Sequence, residues 1–157
     1  MASAEHDDRA ALLASAAAFC EAFRAGPQDA DGLLHHHFTR ARADAILVRE
    51  HGLPRLAPFL GRDFRGADGL REYLSLVSAC LAFDEGGMRF GEYVVDPEAR
   101  KVSVRGRARL AWKSTGQAWD EVFTYVLAFD RDHRVERYEI WADTGAAWLA
   151  SRGELAA

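Results

Sequence analysis

A chain of 157 residues that is 49% hydrophobic and 28% charged, with four Pro and 13 Gly, has the composition of one globular domain. It excludes a disordered, collagen-like or solenoid chain. Twenty basic residues against 24 acidic ones leave a net charge of −4, which argues against a nucleic acid held by bulk charge. No apolar run reaches the roughly 18 residues of a membrane span, and Met1–Asp8 lacks the basic and apolar regions of a signal peptide. Cys20 and Cys80 belong to no CxxC pair and read as reduced thiols of a cytoplasmic protein. The expectation is a single domain over 1–157, with its core at about 8–150. A domain of that size buries about 70% of its unfolded surface and needs no disulfide or metal staple.

Leu12, Ala16, Phe19, Cys20 and Phe23 recur at helical spacing and predict a first helix, with N-cap chemistry at Asp7 and Asp8 and a stop at Gly26-Pro27. A second short helix is expected after Asp29 or Asp31, carrying Leu33, Leu34 and Phe38. Ala45–Val48 reads as a strand, and Glu50–Gly69, with Pro54, Pro58 and four Gly, as mostly loop. Asp68 is expected to cap a third helix with Leu70, Tyr73, Leu74, Val77 and Leu81 on one side.

After Gly86-Gly87 the apolar period changes to two. Met88–Asp96, Lys101–Lys113, Gln117–Asp130 and Arg134–Asp143 have strand composition. Their short connections join antiparallel neighbours, because a parallel crossover needs a dozen or more residues. Asp143-Thr144 caps a last short helix through Ala147, Trp148 and Leu149. Three helices followed by a long-stranded meander predict an α+β domain.

Phe129-Asp-Arg-Asp-His-Arg-Val135 followed by Tyr138-Glu-Ile-Trp-Ala-Asp143 resembles the F-D-x-x-G-K-I hairpin and closing aromatic strand of the SnoaL-like branch of the nuclear transport factor two-like superfamily. Pro58-Phe-Leu-Gly-Arg-Asp-Phe-Arg-Gly66 resembles that family's approach to its third helix. His133 stands where the family usually has Gly, and His tolerates a left-handed backbone better than most residues. The resemblance covers residues 8–150. It implies a cone-shaped half-barrel, with helices and a strongly curved antiparallel sheet around a pocket. It does not transfer an activity, since the fold serves isomerases, dehydratases, cyclases and non-enzymes alike.

The turn at Thr115-Gly116 sets which strand face lines that pocket. A two-residue turn pairs Trp112 with Trp119, Leu110 with Glu121, Ala108 with Phe123 and Gly106 with Tyr125. One face is then aromatic with a single carboxylate, and the other carries Arg105, Arg107 and Arg109. A three-residue turn instead pairs Arg109 with Glu121 as an ordinary ion pair. The family's own turn favours the first register, which also brings Tyr138, Ile140 and Ala142 to the face of Glu121 and Tyr125. Matched to the family, Tyr125 falls where ketosteroid isomerase keeps an oxyanion-binding Asp, and Ile140 where limonene epoxide hydrolase keeps a catalytic Asp. Neither acid is retained, which argues against either activity in its strict form.

Glu121 is the leading candidate for proton transfer, because a carboxylate among Trp112, Trp119 and Phe123 is desolvated and its pKa rises toward neutrality. Tyr125, supported by Tyr138, is the candidate oxyanion donor. Trp112, Trp119 and Phe123 are expected to clasp the substrate's rings, and Leu110, Ile140 and Tyr73 complete that substrate-binding wall. His37 and His51 are secondary bases, His51 because Glu50-His51 falls near the family's pocket mouth. His35-His36-His37 cannot converge on one ion, since successive helical residues point about 100° apart. Neither a metal nor a cofactor is expected. The alternating Arg105, Arg107, Arg109 and Lys113 read as an ionic sheet face, with Trp141 nearby as a homodimer anchor.

These readings lead to a cofactor-free enzyme that moves a proton beside a carbonyl of an apolar, oxygenated small molecule, as in isomerisation, dehydration or cyclisation. The alternative is a non-catalytic domain of the same fold that binds a hydrophobic ligand or dimerises.

Overall fold

The computed structural model describes residues 2–25, 29–42, 44–84 and 86–155. The helix stop expected at Gly26-Pro27 lies outside them. In chain order the elements are α1 (Ala2–Ala25), α2 (Ala30–His37), β1 (Leu47–Glu50), β2 (Phe64–Arg65), α3 (Gly66–Cys80), β3 (Leu81–Phe83), β4 (Arg89–Asp96), β5 (Lys101–Trp112), β6 (Ala118–Phe129), β7 (Val135–Trp141) and α4 (Thr144–Arg152).

The strands form one mixed sheet ordered β2-β1-β7-β6-β5-β3, with β4 also paired to β5. β4 takes the Lys101–Arg107 half of β5 and β3 its Leu110–Trp112 half. The register of β4 shifts between Gly91 and Val94, where Glu92 has φ 55°. Such a bulge bends its strand and tightens the twist, and the sheet curls into the α+β half-barrel. The apolar stripe of α1 is buried within it. The Phe19 ring stands edge-on to Tyr138 at 5.2 Å and to Phe38 at 5.8 Å.

Local chemistry sets the helix starts. Asp29 caps α2 through the Gly32 N–H at 2.9 Å, and Asp143 caps α4 through the Ala146 N–H at 2.9 Å. Asp7 and Asp8 do not cap α1, which already runs through them. Asp8 instead holds Arg100 at 2.9 Å and His133 at 2.6 Å. Nor does Asp68 cap α3. Gly66, at φ 72°, turns the chain directly from β2 into the helix, and Asp68 sits exposed in its first turn beside Arg71.

Three strand details differ from expectation. The first strand is Leu47–Glu50, two residues later than expected, and it pairs parallel with β7. The stretch read as loop contains β2, and β3 follows α3 without a break. The β5–β6 connection is the four-residue loop 113–116, closed by Trp112 N–H to Gln117 O at 2.9 Å, with Gly116 at φ 70°. Neither expected register forms. Leu110 faces Trp119, Ala108 faces Glu121, Gly106 faces Phe123 and Val104 faces Tyr125. Because the shift is two residues, each side chain keeps its expected face. Arg109 lies opposite Asp120, and the two pair at 2.9 Å.

Candidate active site

A cavity of about 50 Å³ lies between the concave sheet face and helices α1 and α3. A second lobe of about 20 Å³ lies at the start of α4, walled by Trp119, Asp143 and Ala147. Glu50, Leu81, Leu110, Glu121 and Ala142 border both lobes. Two carboxyl groups on different strands therefore share one largely apolar space.

Glu50 ends β1. In that strand Val48 and Glu50 turn inward while Arg49 turns out, because successive side chains alternate faces. The Tyr73 hydroxyl donates to Glu50 Oε2 at 2.7 Å. Burial pushes the Glu50 carboxyl from an ordinary 4.5 up to about 7; the Tyr73 hydrogen bond opposes that rise and the charge of Glu121 adds to it. Glu50 is thus poised between its two protonation states near neutral pH.

Glu121, on β6, is 3% exposed. The Trp119 indole N–H donates to its Oε2 at 2.8 Å, and the Asp143 backbone N–H donates to its Oε1 at 3.1 Å. Burial raises this carboxyl as well, while both hydrogen bonds work to lower it and the Asp143 charge raises it.

Beside the acids stand two buried phenols, Tyr125 and Tyr138, with ring centroids 4.8 Å apart. Burial pushes both well above the ordinary tyrosine range, so at neutral pH each is an uncharged O–H donor. Among the described residues no three His, Cys, Asp or Glu side chains converge as a metal site.

The cavity walls bring together Glu121, Tyr125, Tyr138, Phe123, Leu110, Ile140 and Tyr73. Trp119 borders the smaller lobe with its N–H turned to Glu121. Trp112 is buried at the end of β5 opposite Leu81 and lines neither lobe itself. His37 lies outside the cavity, edge-on to Phe19 at 6.1 Å, and burial lowers its pKa. His51 points out through the opposite face. It meets Glu139 at 3.0 Å and stacks on Trp141 at 4.0 Å between centroids. The sequence reading passed over Glu50 itself. The signal was the alternation Ile46, Val48, Glu50, which continues inward if the strand is carried two residues past Val48.

No family model matches the chain, and no curated protein matches it in sequence. Solved structures do match in shape. An NTF2-like protein from Burkholderia xenovorans superposes with a TM-score of 0.67 at 21% identity, over 91% of this chain and 97% of that one. The fold is that of the NTF2-like proteins. The BvnE pinacolase of Penicillium brevicompactum shares it with a TM-score of 0.66 at 16% identity, over 96% of this chain and 94% of its own. A ketosteroid isomerase-like protein from Erwinia carotovora atroseptica matches with a TM-score of 0.58 at 20% identity, over 87% and 96% of the two chains.

Proposed function

We propose that the chain is a cofactor-free enzyme that moves a proton beside a carbonyl of a small apolar molecule, in an isomerase, dehydratase or cyclase type of reaction. The observation that carries this reading is the pair of buried carboxyls, Glu50 and Glu121, opening on one aromatic cavity. Burial raises both carboxyls, and two buried acids with different hydrogen-bond partners supply an acid and a base at one pH. Glu121, as carboxylate, takes a proton from the carbon beside the carbonyl. The C–H electron pair becomes the enolate double bond, and charge moves to the carbonyl oxygen. Tyr125 and Tyr138 donate hydrogen bonds to that oxygen, and Glu50 delivers a proton to it or to a neighbouring carbon or leaving hydroxyl. Proteins of this fold described as a pinacolase and as ketosteroid isomerase-like support an enzyme, without pointing to one reaction.

The cavity is much smaller than the roughly 300–1,000 Å³ of ordinary ligand sites, so side chains shift to admit a substrate. Met88, an adaptable side chain, borders both the cavity and an open crevice of about 550 Å³ between α1 and β4. The test is deuterium uptake from D2O into cyclic ketones and β-hydroxy ketones, followed by proton NMR. The protein is expected to catalyse exchange, and Glu121→Gln to slow it by about a hundredfold or more. A panel without exchange above the Glu50→Gln, Glu121→Gln double variant would leave the non-catalytic ligand-binding alternative.

We also propose a homodimer through the outer sheet face. Val122 and Trp141 are 47% and 43% exposed there, among charged neighbours. Light scattering is expected to give twice the chain mass, and Trp141→Glu to halve it.

A further inference from the structure

We propose that Trp119 and the Asp143 backbone amide at the start of α4 are positioning groups, which hold Glu121 as the anion of the acid pair and leave the shared proton on Glu50. This rests on the acid–base reading of the pair.

The argument is one of donors and acceptors. An indole N–H and a peptide N–H can only donate. One meets each oxygen of Glu121, at 2.8 Å and 3.1 Å. A proton added to either oxygen removes the negative charge that both N–H groups face and leaves them hydrogen bonds to a neutral acceptor. The ionised form satisfies both donors at once, and hydrogen bonds to a charged acceptor are the stronger kind. At Glu50 the only side-chain hydrogen bond among the described residues comes from the Tyr73 hydroxyl. A hydroxyl both donates and accepts, so it suits either protonation state. Two mandatory donors on one acid and an adaptable one on the other decide where a single proton rests.

The remaining groups around Glu121 do not reverse this. Glu50 from β1 is the competing acid. Tyr73 from α3, Tyr125 from β6 and Tyr138 from β7 stay neutral. The Asp143 carboxylate repels Glu121, but its Oδ1 is turned onto the Ala146 N–H at 2.9 Å. The positive end of the nine-residue α4 lies on the same side. A tryptophan suits the task because residues two apart on a strand share a face. Trp119 therefore contacts the base, whereas the sequence pattern had assigned its ring to the substrate.

The experiment is a carbon-13 NMR titration of the glutamate side-chain carboxyls, with signals assigned through Glu50→Gln and Glu121→Gln. In the parent, Glu121 is expected to titrate below Glu50. Trp119→Phe keeps an aromatic filler without the donor and is expected to raise the Glu121 midpoint by about one to two pH units, while the Glu50 midpoint falls. If that variant does not fold, the parent alone decides: the Trp119 indole and Asp143 amide proton shifts are expected to follow the Glu121 midpoint. An unmoved Glu121 midpoint in a folded Trp119→Phe, Glu121 titrating above Glu50, or N–H shifts that track Glu50 would overturn the assignment. Failure of the enzymatic reading is distinguishable, because it leaves this order of titration intact and removes only deuterium exchange.

Discussion

Glu50 and His51 are neighbours in the chain, as are Asp120 and Glu121, yet each pair is divided between two chemical worlds. On the concave face, Glu50 and Glu121 are 8% and 3% exposed. They are surrounded by aromatic rings and held by directed hydrogen bonds, one at Glu50 and two at Glu121. On the outer face, Asp120 meets Arg109 in a pair open to water, and His51 meets Glu139 in a half-buried one. The residue types are the same; the solvent is not. One step along a strand separates a carboxylate that water screens from one whose proton affinity the fold controls.

The sharpest way to break this comparison is Glu50→Gln. The folded Glu50 carboxyl lies above its unfolded value, so the fold favours the protonated form. Stability is therefore unaffected by this group below pH 4.5 and is lost as pH rises toward 7, because there the unfolded chain releases a proton that the folded one retains. At about 1.4 kcal/mol per pH unit, the interval from 4.5 to about 7 amounts to about 3 kcal/mol. Urea unfolding at pH 5 and pH 8 is expected to show the parent weakening by that order and the variant weakening much less. Equal slopes with pH would mean that Glu50 is solvated.

Two glycines offer a second contrast, of smaller size. A Cβ at Gly106 would lie 2.1 Å from the Phe123 ring, which needs that bare backbone to lie against β5. At Gly91 a Cβ would meet nothing within 4 Å. Gly106→Ala is expected to cost about 1–3 kcal/mol by overpacking, and Gly91→Ala to be neutral or to stabilise by about 0.4–1 kcal/mol through the unfolded chain. Thermal unfolding of the two variants beside the parent measures both. Similar losses at both positions would show that the inner face is no more tightly packed than the outer.

The split between faces was readable in the sequence because alternation survives errors of two. Leu110, Glu121, Phe123 and Tyr125 were placed together from a register that is wrong by two residues, since such a slip returns every side chain to its own side. Loop length itself was not readable. Gly116 takes positive φ in the four-residue loop, as it would in shorter turns. Glu50 was passed over because the apolar run stops at Val48, and a charged residue that continues a strand inward breaks the rule by which strands are recognised. The three-residue β3 is too short to show a period. Asp8 resembled a cap but serves as a tertiary anchor to Arg100 and His133, across a sequence distance that no local pattern reports.

The smallest expected effect is also the control for the others. Asp120 precedes Glu121 and points the opposite way, and its pair with Arg109 is formed at 2.9 Å between side chains 87% and 52% exposed. Water and salt screen such a pair, and fixing two flexible side chains offsets most of the attraction, so exposed pairs contribute about 0–1 kcal/mol. Asp120→Asn is expected to fall within that range at low salt and to become indistinguishable from the parent at about 1 M salt, where the screening length is about 3 Å. Glu121→Gln, one residue away, removes a buried acid rather than a screened pair, so its effect is expected to vary with pH and hardly with salt. Chemical unfolding of both variants across salt and pH reads the two dependences separately. If Asp120→Asn followed pH while Glu121→Gln followed salt, the assignment of inner and outer faces at β6 would have to be exchanged.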